Sequence, residues 1–78
     1  MFTVYILQCN DNKTYVGCTE NLADRLKRHS DGHVPATAQR LPIVLLVSVN
    51  FDNKYKAFDF EKYLKSGSGR AFLKKHFV

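Results

Sequence analysis

Tyr15-Val16-Gly17-Cys18-Thr19-Glu20-Asn21-Leu22-Ala23-Asp24-Arg25-Leu26-Lys27-Arg28-His29 is the stretch whose reading decides the fold. It reads as a short strand that turns through Gly17 into a helix. Leu22, Leu26 and His29 form the helix stripe, with Arg25 on its edge. An arginine and a histidine four residues apart share a helix face and reach toward the same point. Leu22 and Leu26 tie that face to the body of the protein. Arg25 then has two readings. Its stem lies over the core with its head in water, or it is an anchored cation aimed at a phosphate.

Upstream, Phe2 to Cys9 mixes β-branched, aromatic and apolar residues and reads as a strand. Asn10-Asp11-Asn12-Lys13 is turn chemistry, and Thr14 to Cys18 is a second strand, so the two form a hairpin. Tyr5 and Tyr15 lie an even number of positions apart. An even-length loop therefore places them on opposite faces of the sheet, whereas an odd-length loop or a bulge places both on one face. If both serve one site, the hairpin carries that irregularity.

Downstream, Asn21 is a helix N-cap, with Asp24 three residues on as a shortened capping box, and Gly32 closes the helix. His33 to Leu41 contains Pro35 and small polar residues and reads as a loop. Pro42 to Val49 is apolar and β-branched, the pattern of a strand with both faces largely covered. Asp52-Asn53 opens a second helix running to about Ser66, with Ala57, Phe60, Glu61 and Leu64 as its stripe. Ser66-Gly67-Ser68-Gly69 breaks it, and Ser68 is placed to cap a last short helix carrying Phe72, Leu73 and Phe77. The order is β-β-α-β-α-α. A sheet of three strands covered by helices, an α/β (α+β) arrangement, is the natural solution at this length.

A chain of 78 residues makes one domain, spanning 1–78. At this size only about 60% of the unfolded surface is buried, so the core is thin and the surface has room for one site. The net charge is +5, and from Lys62 onward there are five bases (Lys62, Lys65, Arg70, Lys74, Lys75) and no acid. Such a patch suits nucleic acid or an anionic membrane surface; a merely solvated face is the other reading. Cys9 and Cys18 are too few for a disulfide scaffold and, flanking a hairpin, lie out of register, so reduced thiols and a cytoplasmic protein are expected. No signal peptide is visible, and the longest apolar run, Ile43-Val44-Leu45-Leu46-Val47, is too short to span a bilayer.

Glu61 is the local contradiction, a carboxylate on an apolar stripe, costly to bury unless it is paired or holds a cation. The plain explanation is a stripe-edge side chain reaching solvent, or pairing with Arg25 or a lysine. A lone carboxylate is a weak metal site, but magnesium often accepts one or two carboxylates and completes its octahedron with water and substrate phosphate. Two tyrosines from a hairpin, an arginine and a histidine from the first helix and a glutamate from the second together describe one site. Phosphodiester hydrolysis needs these parts: a proton acceptor for water, a cation near the phosphoryl oxygens, and a metal that stabilises the leaving oxygen.

The residues Thr3-Val4-Tyr5, Tyr15-Val16-Gly17, Arg25, His29 and Glu61 resemble the GIY-YIG nuclease domain, over nearly the whole chain and in the right order. The resemblance is to the small stand-alone branch, related to the nuclease domain of the excision-repair endonuclease. It implies a three-stranded antiparallel sheet flanked by helices and divalent-metal-dependent endonuclease cleavage of nucleic acid, with DNA in repair or processing as the expected substrate class. Carried across by position, Tyr5 and Tyr15 would line the site, one activating water and the other orienting water or phosphate. Gly17 would allow close approach of backbone and substrate, Arg25 would stabilise charge on the scissile phosphate, and His29 would support Tyr5 or the phosphate. Glu61 would hold a single Mg2+ or Mn2+. Thr3 replaces the first glycine of the motif, Cys18 stands where the repair branch carries a lysine, and no asparagine follows Glu61. Lys13 could replace that lysine only if the turn brings it round.

Around this centre, Gly17, Arg28, Lys65, Arg70, Lys74 and Lys75 are the candidate nucleic-acid contacts. Ser66 to Arg70 could offer amides and a helix N-terminus to a phosphate. With one small domain, specificity would come from dimerisation or a partner protein. The main rival is a catalytically weak or inactive nucleic-acid-binding module using the same basic surface. A zinc site from Cys9, Cys18, His29 and His33 is disfavoured by the eight residues between the cysteines.

Overall fold

The computed structural model describes residues 1–76, so the expected apolar position Phe77 lies outside the described residues. Two strands, β1 (Phe2–Gln8) and β2 (Thr14–Thr19), precede helix α1 (Leu22–Ser30) and a single helical turn, α2 (Pro35–Ala38). Strand β3 (Val44–Phe51) and helices α3 (Lys54–Lys65) and α4 (Gly67–His76) follow. The strands form one antiparallel sheet in the order β2-β1-β3. This is the expected α+β order, with α2 added inside the segment read as loop. Pro35 starts that turn, where a missing N–H costs nothing.

The hairpin loop is odd. Gln8 pairs with Thr14, Leu7 with Tyr15 and Tyr5 with Gly17. Asn12 adopts a left-handed conformation (φ 64°), which an asparagine tolerates, and its N–H donates to Cys9 O. Residues 5, 7, 15 and 17 consequently share one face. The opposite face carries Val4, Ile6 and Val16, which pack with Ala57, Leu64 and Leu73 from the helices α3 and α4. β1 is the central strand, which is why Thr3 to Leu7 is buried without interruption.

Three sequence expectations change. First, β3 is an edge strand rather than one covered on both faces: Val44 and Leu45 are 58% and 39% exposed. An apolar β-branched run fits a half-buried edge as well as a centre, and the pattern does not encode strand order. Second, the chain does not turn at Gly17. β2 continues through it to Thr19, and the turn into α1 falls at Glu20–Asn21, where the Asn21 side chain accepts from Asp24 N at 3.0 Å. Third, Ser66 rather than Ser68 caps α4. Its Oγ accepts from Gly69 N at 3.1 Å and donates to Tyr63 O.

That cap lets α4 fold back tightly on α3. Gly69 is buried, and a Cβ there would overlap the backbone of Tyr63 and Leu64, whereas a Cβ on Gly67 meets nothing within 4 Å. Gly69→Ala is therefore expected to destabilise by about 1–3 kcal/mol through overpacking. Gly67→Ala is expected to be neutral or stabilising by up to about 1 kcal/mol. Urea unfolding of the two variants tests this, and equal effects would contradict the packing.

Candidate active site

Hairpin parity places Tyr5, Tyr15 and Gly17 on the sheet face that α1 covers. Tyr5 projects from the central strand directly over Gly17, its cross-strand neighbour, and a Cβ on Gly17 would overlap the phenol ring. Thus the glycine makes room for Tyr5 within the protein, and the space it leaves is already filled. The ring of Tyr15 stands 6.3 Å from that of Tyr5 and 5.2 Å from that of His29, while Tyr5 and His29 are 5.7 Å apart. The three rings form a mutual cluster between β1, β2 and α1, with edge-to-face geometry about His29.

A line of hydrogen bonds runs through this cluster. Tyr5 Oη lies 2.9 Å from His29 Nε2, and His29 Nδ1 lies 2.7 Å from Thr37 Oγ1. Thr37 in turn directs its hydroxyl at Val34 O, at 3.5 Å. With the threonine proton pointing there, Thr37 accepts from His29 Nδ1–H, which leaves Nε2 to accept from the Tyr5 hydroxyl. Tyr5, His29 and Thr37 are all completely buried, and no buried side-chain polar atom among the described residues lacks a partner.

Burial sets the protonation of this line. It pushes the Tyr5 phenol up to about 12, reinforced by Tyr15 and opposed by the Arg25 charge. It also pushes the His29 imidazole below its ordinary value, with Arg25 adding to the shift. Both groups are neutral near pH 7, the donor and acceptor states the hydrogen bonds require.

The remaining site residues come from both helical layers and meet along β2, the free edge of the sheet on this side. Arg25 of α1 is half-buried and lines a cleft of about 400 Å³ with Phe2, Cys18, Thr19, Asn21 and Phe58. Glu61 of α3 lies close enough to raise the titration of both Cys18 and Tyr5. Its side chain is 23% exposed and pairs with Lys65 at 3.2 Å. A second cleft, of about 250 Å³, holds Tyr15, Val16, Lys65 and Arg70. Tyr15 is half-buried, so of the two phenols it is the one that faces an open cleft.

Several candidates find different surroundings from those the sequence implied. His29 gives both ring nitrogens to protein partners, so it braces Tyr5 and has no nitrogen left for a phosphate or a zinc ion. Lys13 lines a cleft with Arg70 and Lys74, away from Cys18, so it does not replace the lysine missing there. Arg28 and Lys75 are exposed and line none of the three clefts. Thr37, which orients His29, escaped sequence reading because it sits in a segment of loop composition. Its signal was Pro35 at the first position of a short helix, which places Thr37 on the inner side. Phe58 and the Phe2 ring, 6.3 Å from it, were also missed as cleft residues.

No group of three or more His, Cys, Asp or Glu side chains able to hold a metal ion occurs among the described residues. Glu20 also lines the Arg25 cleft, but it is exposed on the turn, whereas Glu61 is the partly buried carboxylate close to Cys18 and Tyr5. A single partly exposed carboxylate fits a magnesium-type ion that keeps most of its water. It does not fit a closed protein cage.

The fold and this residue set define a GIY-YIG domain. The GIY-YIG catalytic domain profile matches residues 1–75, and the chain belongs to that family. A UPF0213 protein of Lactococcus lactis subsp. cremoris (strain SK11) is 47% identical over 62 residues, covering 78% of this chain and 63% of the relative. A UPF0213 protein of Pediococcus pentosaceus is 38% identical over 79 residues, covering 96% and 83% respectively. The solution NMR structure of the UPF0213 protein BH0048 from Bacillus halodurans superposes with a TM-score of 0.61 at 32% identity, covering 96% of this chain and 84% of that one. The chain spans 63% and 62% of the length of the two Lactococcus lactis relatives it matches. Among the described residues no helix is long and apolar enough to cross a membrane.

The His29 environment has a measurable consequence. Because the folded protein holds His29 below its ordinary pKa of 6.5, the unfolded chain takes up a proton that the folded one refuses. The stability contribution is fully present above about pH 6.5 and falls as the pH drops below it, toward the lowered folded value. Urea midpoints are expected to fall between about pH 7 and about pH 5, and His29→Gln to flatten that dependence. An unchanged slope in the variant would show that other groups carry it.

Proposed function

We propose that this domain is a divalent-metal-dependent endonuclease acting on nucleic acid, with DNA the substrate class of the relevant repair or processing reactions. The observation that carries the reading is that Arg25, Tyr15 and Glu61, from three different elements, all lie close enough to Tyr5 to act on its charge.

In this reading Arg25 binds the phosphoryl oxygens and offsets the charge that develops on them. Tyr15 orients the attacking water. To take the proton of that water, Tyr15 must act as the phenolate, the form with a lone pair free to accept it. The bond from the water oxygen to phosphorus forms as the bond to one sugar oxygen breaks. The water proton goes to Tyr15 Oη, and the departing oxygen collects a proton from solvent. Tyr5 stays protonated and buried, a brace that fixes Tyr15 through ring packing and ties β1 to His29. Glu61 would hold the metal ion, which when bound supplies charge neutralisation at the leaving oxygen. Ion pairing to Lys65 is exposed enough to give way, since surface pairs contribute only about 0–1 kcal/mol.

The rival, a binding module that does not cut, draws on the same Glu61–Lys65 pair, which occupies the carboxylate. Cleavage of linear, nicked, flapped and branched DNA and RNA in magnesium or manganese separates the two. The expected result is cutting that is abolished by EDTA and reduced by about 10²–10³-fold in Arg25→Ala, with a comparable loss in Glu61→Gln. Tyr15→Phe is expected to lose about 10²-fold or more. Salt-sensitive binding without cutting, indifferent to EDTA and to these substitutions, would establish the binding module instead.

A further inference from the structure

The site on β2 opens at one end into a larger cleft that the proposed chemistry does not use. It has a volume of about 550 Å³ and lies between the hairpin turn and α4, with Lys13, Arg40, Arg70 and Lys74 in its lining. Thr14, Arg70 and Leu73 line both this cleft and the one that holds Tyr15, so the two are continuous.

Its cations are held on two separately fixed supports. The turn is tied down by Arg40, whose guanidinium meets Asp11 at 2.8 Å and 3.4 Å, and by Asn10 N donating to Arg40 O at 2.8 Å. Lys13 is set on that turn by its own N–H donating to Asp11 Oδ1 at 3.0 Å. Arg70 and Lys74 ride on α4, which the Ser66 cap and the buried Gly69 hold against α3. Asp11 offsets the charge of Arg40. Lys13, Arg70 and Lys74 have no acid within ion-pair distance among the described residues. Segments far apart in sequence thus bring to one concavity three cations that make no ion pair among the described residues. Among the described residues no aromatic side chain lines it, so none of them offers bases a surface for stacking there. What it offers is charge for a backbone, together with small polar groups, Asn12 and Thr14.

We infer that the cleft of Lys13, Arg70 and Lys74 is a phosphate-tracking groove that holds the strand running away from the scissile bond. The inference rests on the nuclease reading of the β2 edge. A concavity of this volume is of the size that holds small ligands, which suits a few linked nucleotides of one strand. The substrate class is therefore nucleic acid with a single-stranded segment on one side of the cut, gripped without regard to sequence.

The experiment is fluorescence anisotropy of labelled oligothymidylate in EDTA across a salt series. The variants are Lys13→Ala/Arg70→Ala/Lys74→Ala and, as a control removing equal charge, Lys54→Ala/Lys56→Ala/Lys62→Ala on the exposed face of α3. Three lost contacts are expected to lower the log–log salt slope by about 2, at roughly 0.7 per phosphate on a single strand, with affinity down at least ~10-fold. The control is expected to change both far less. Lys13→Glu alone, on an exposed turn, should weaken binding in the same direction and guards against misfolding of the triple variant. Equal losses in the groove and control variants would overturn the groove. If cutting of tailed substrates persists in that case, the nuclease reading stands without it. If wild type cuts nothing yet shows the groove-specific loss, the nuclease reading fails and the groove remains.

Discussion

The contact between the Tyr5 ring and Gly17 is the constraint from which the rest of the site follows. A phenol on a central strand, laid over the backbone of its neighbour, is possible only where that neighbour has no side chain. With the ring so placed, its hydroxyl points away from water, and an uncompensated buried hydroxyl would be costly. His29 supplies the partner, and Thr37 fixes His29. One glycine thereby determines the seating of α1 on the sheet, and the seating of α1 determines where Arg25 emerges.

This arrangement separates the motif residues into a buried brace and an open edge. Tyr5, His29 and Thr37 are inside and neutral, which keeps them in one hydrogen-bonded state over the physiological range. Tyr15, Arg25 and Glu61 are at the margin, each partly exposed, and each supported by a different element. Preorganisation of that kind suits electrostatic catalysis, in which groups should not move as charge develops. The cost is borne by the thin core, since several positions on one sheet face are given to polar side chains.

Much of this was legible in the sequence, for identifiable reasons. Asn21, Gly32 and Asn53 mark helix ends by local chemistry, and the structure uses each of them, Gly32 with a positive φ of 78°. The separation of Tyr5 and Tyr15 required an odd loop for a shared face, and the loop is odd. Glu61 stood out as a carboxylate on an apolar stripe. What the sequence withheld was non-local. The position of β3 at the sheet edge depends on strand order, and a run such as Val44-Leu45-Leu46-Val47 reads alike in the centre and at the edge. The choice of Ser66 over Ser68 as cap depends on how closely α4 can approach α3, which Gly69 decides. The Thr37–His29 bond and the Asp11–Arg40 pair each join segments whose proximity no local pattern signals.

The central claim is that the β2 edge beside Glu61 is the place where a divalent ion and a phosphate meet. Paramagnetic broadening by manganese, followed in amide NMR spectra of the whole chain, addresses it most directly. The account predicts that signals of Tyr15 to Cys18 and of the α3 turn around Glu61 broaden first, and that Glu61→Gln abolishes the effect while the rest of the spectrum is unchanged. Broadening centred instead on Asp11, Asp31 or Asp52, or broadening at β2 that survives in Glu61→Gln, would contradict it.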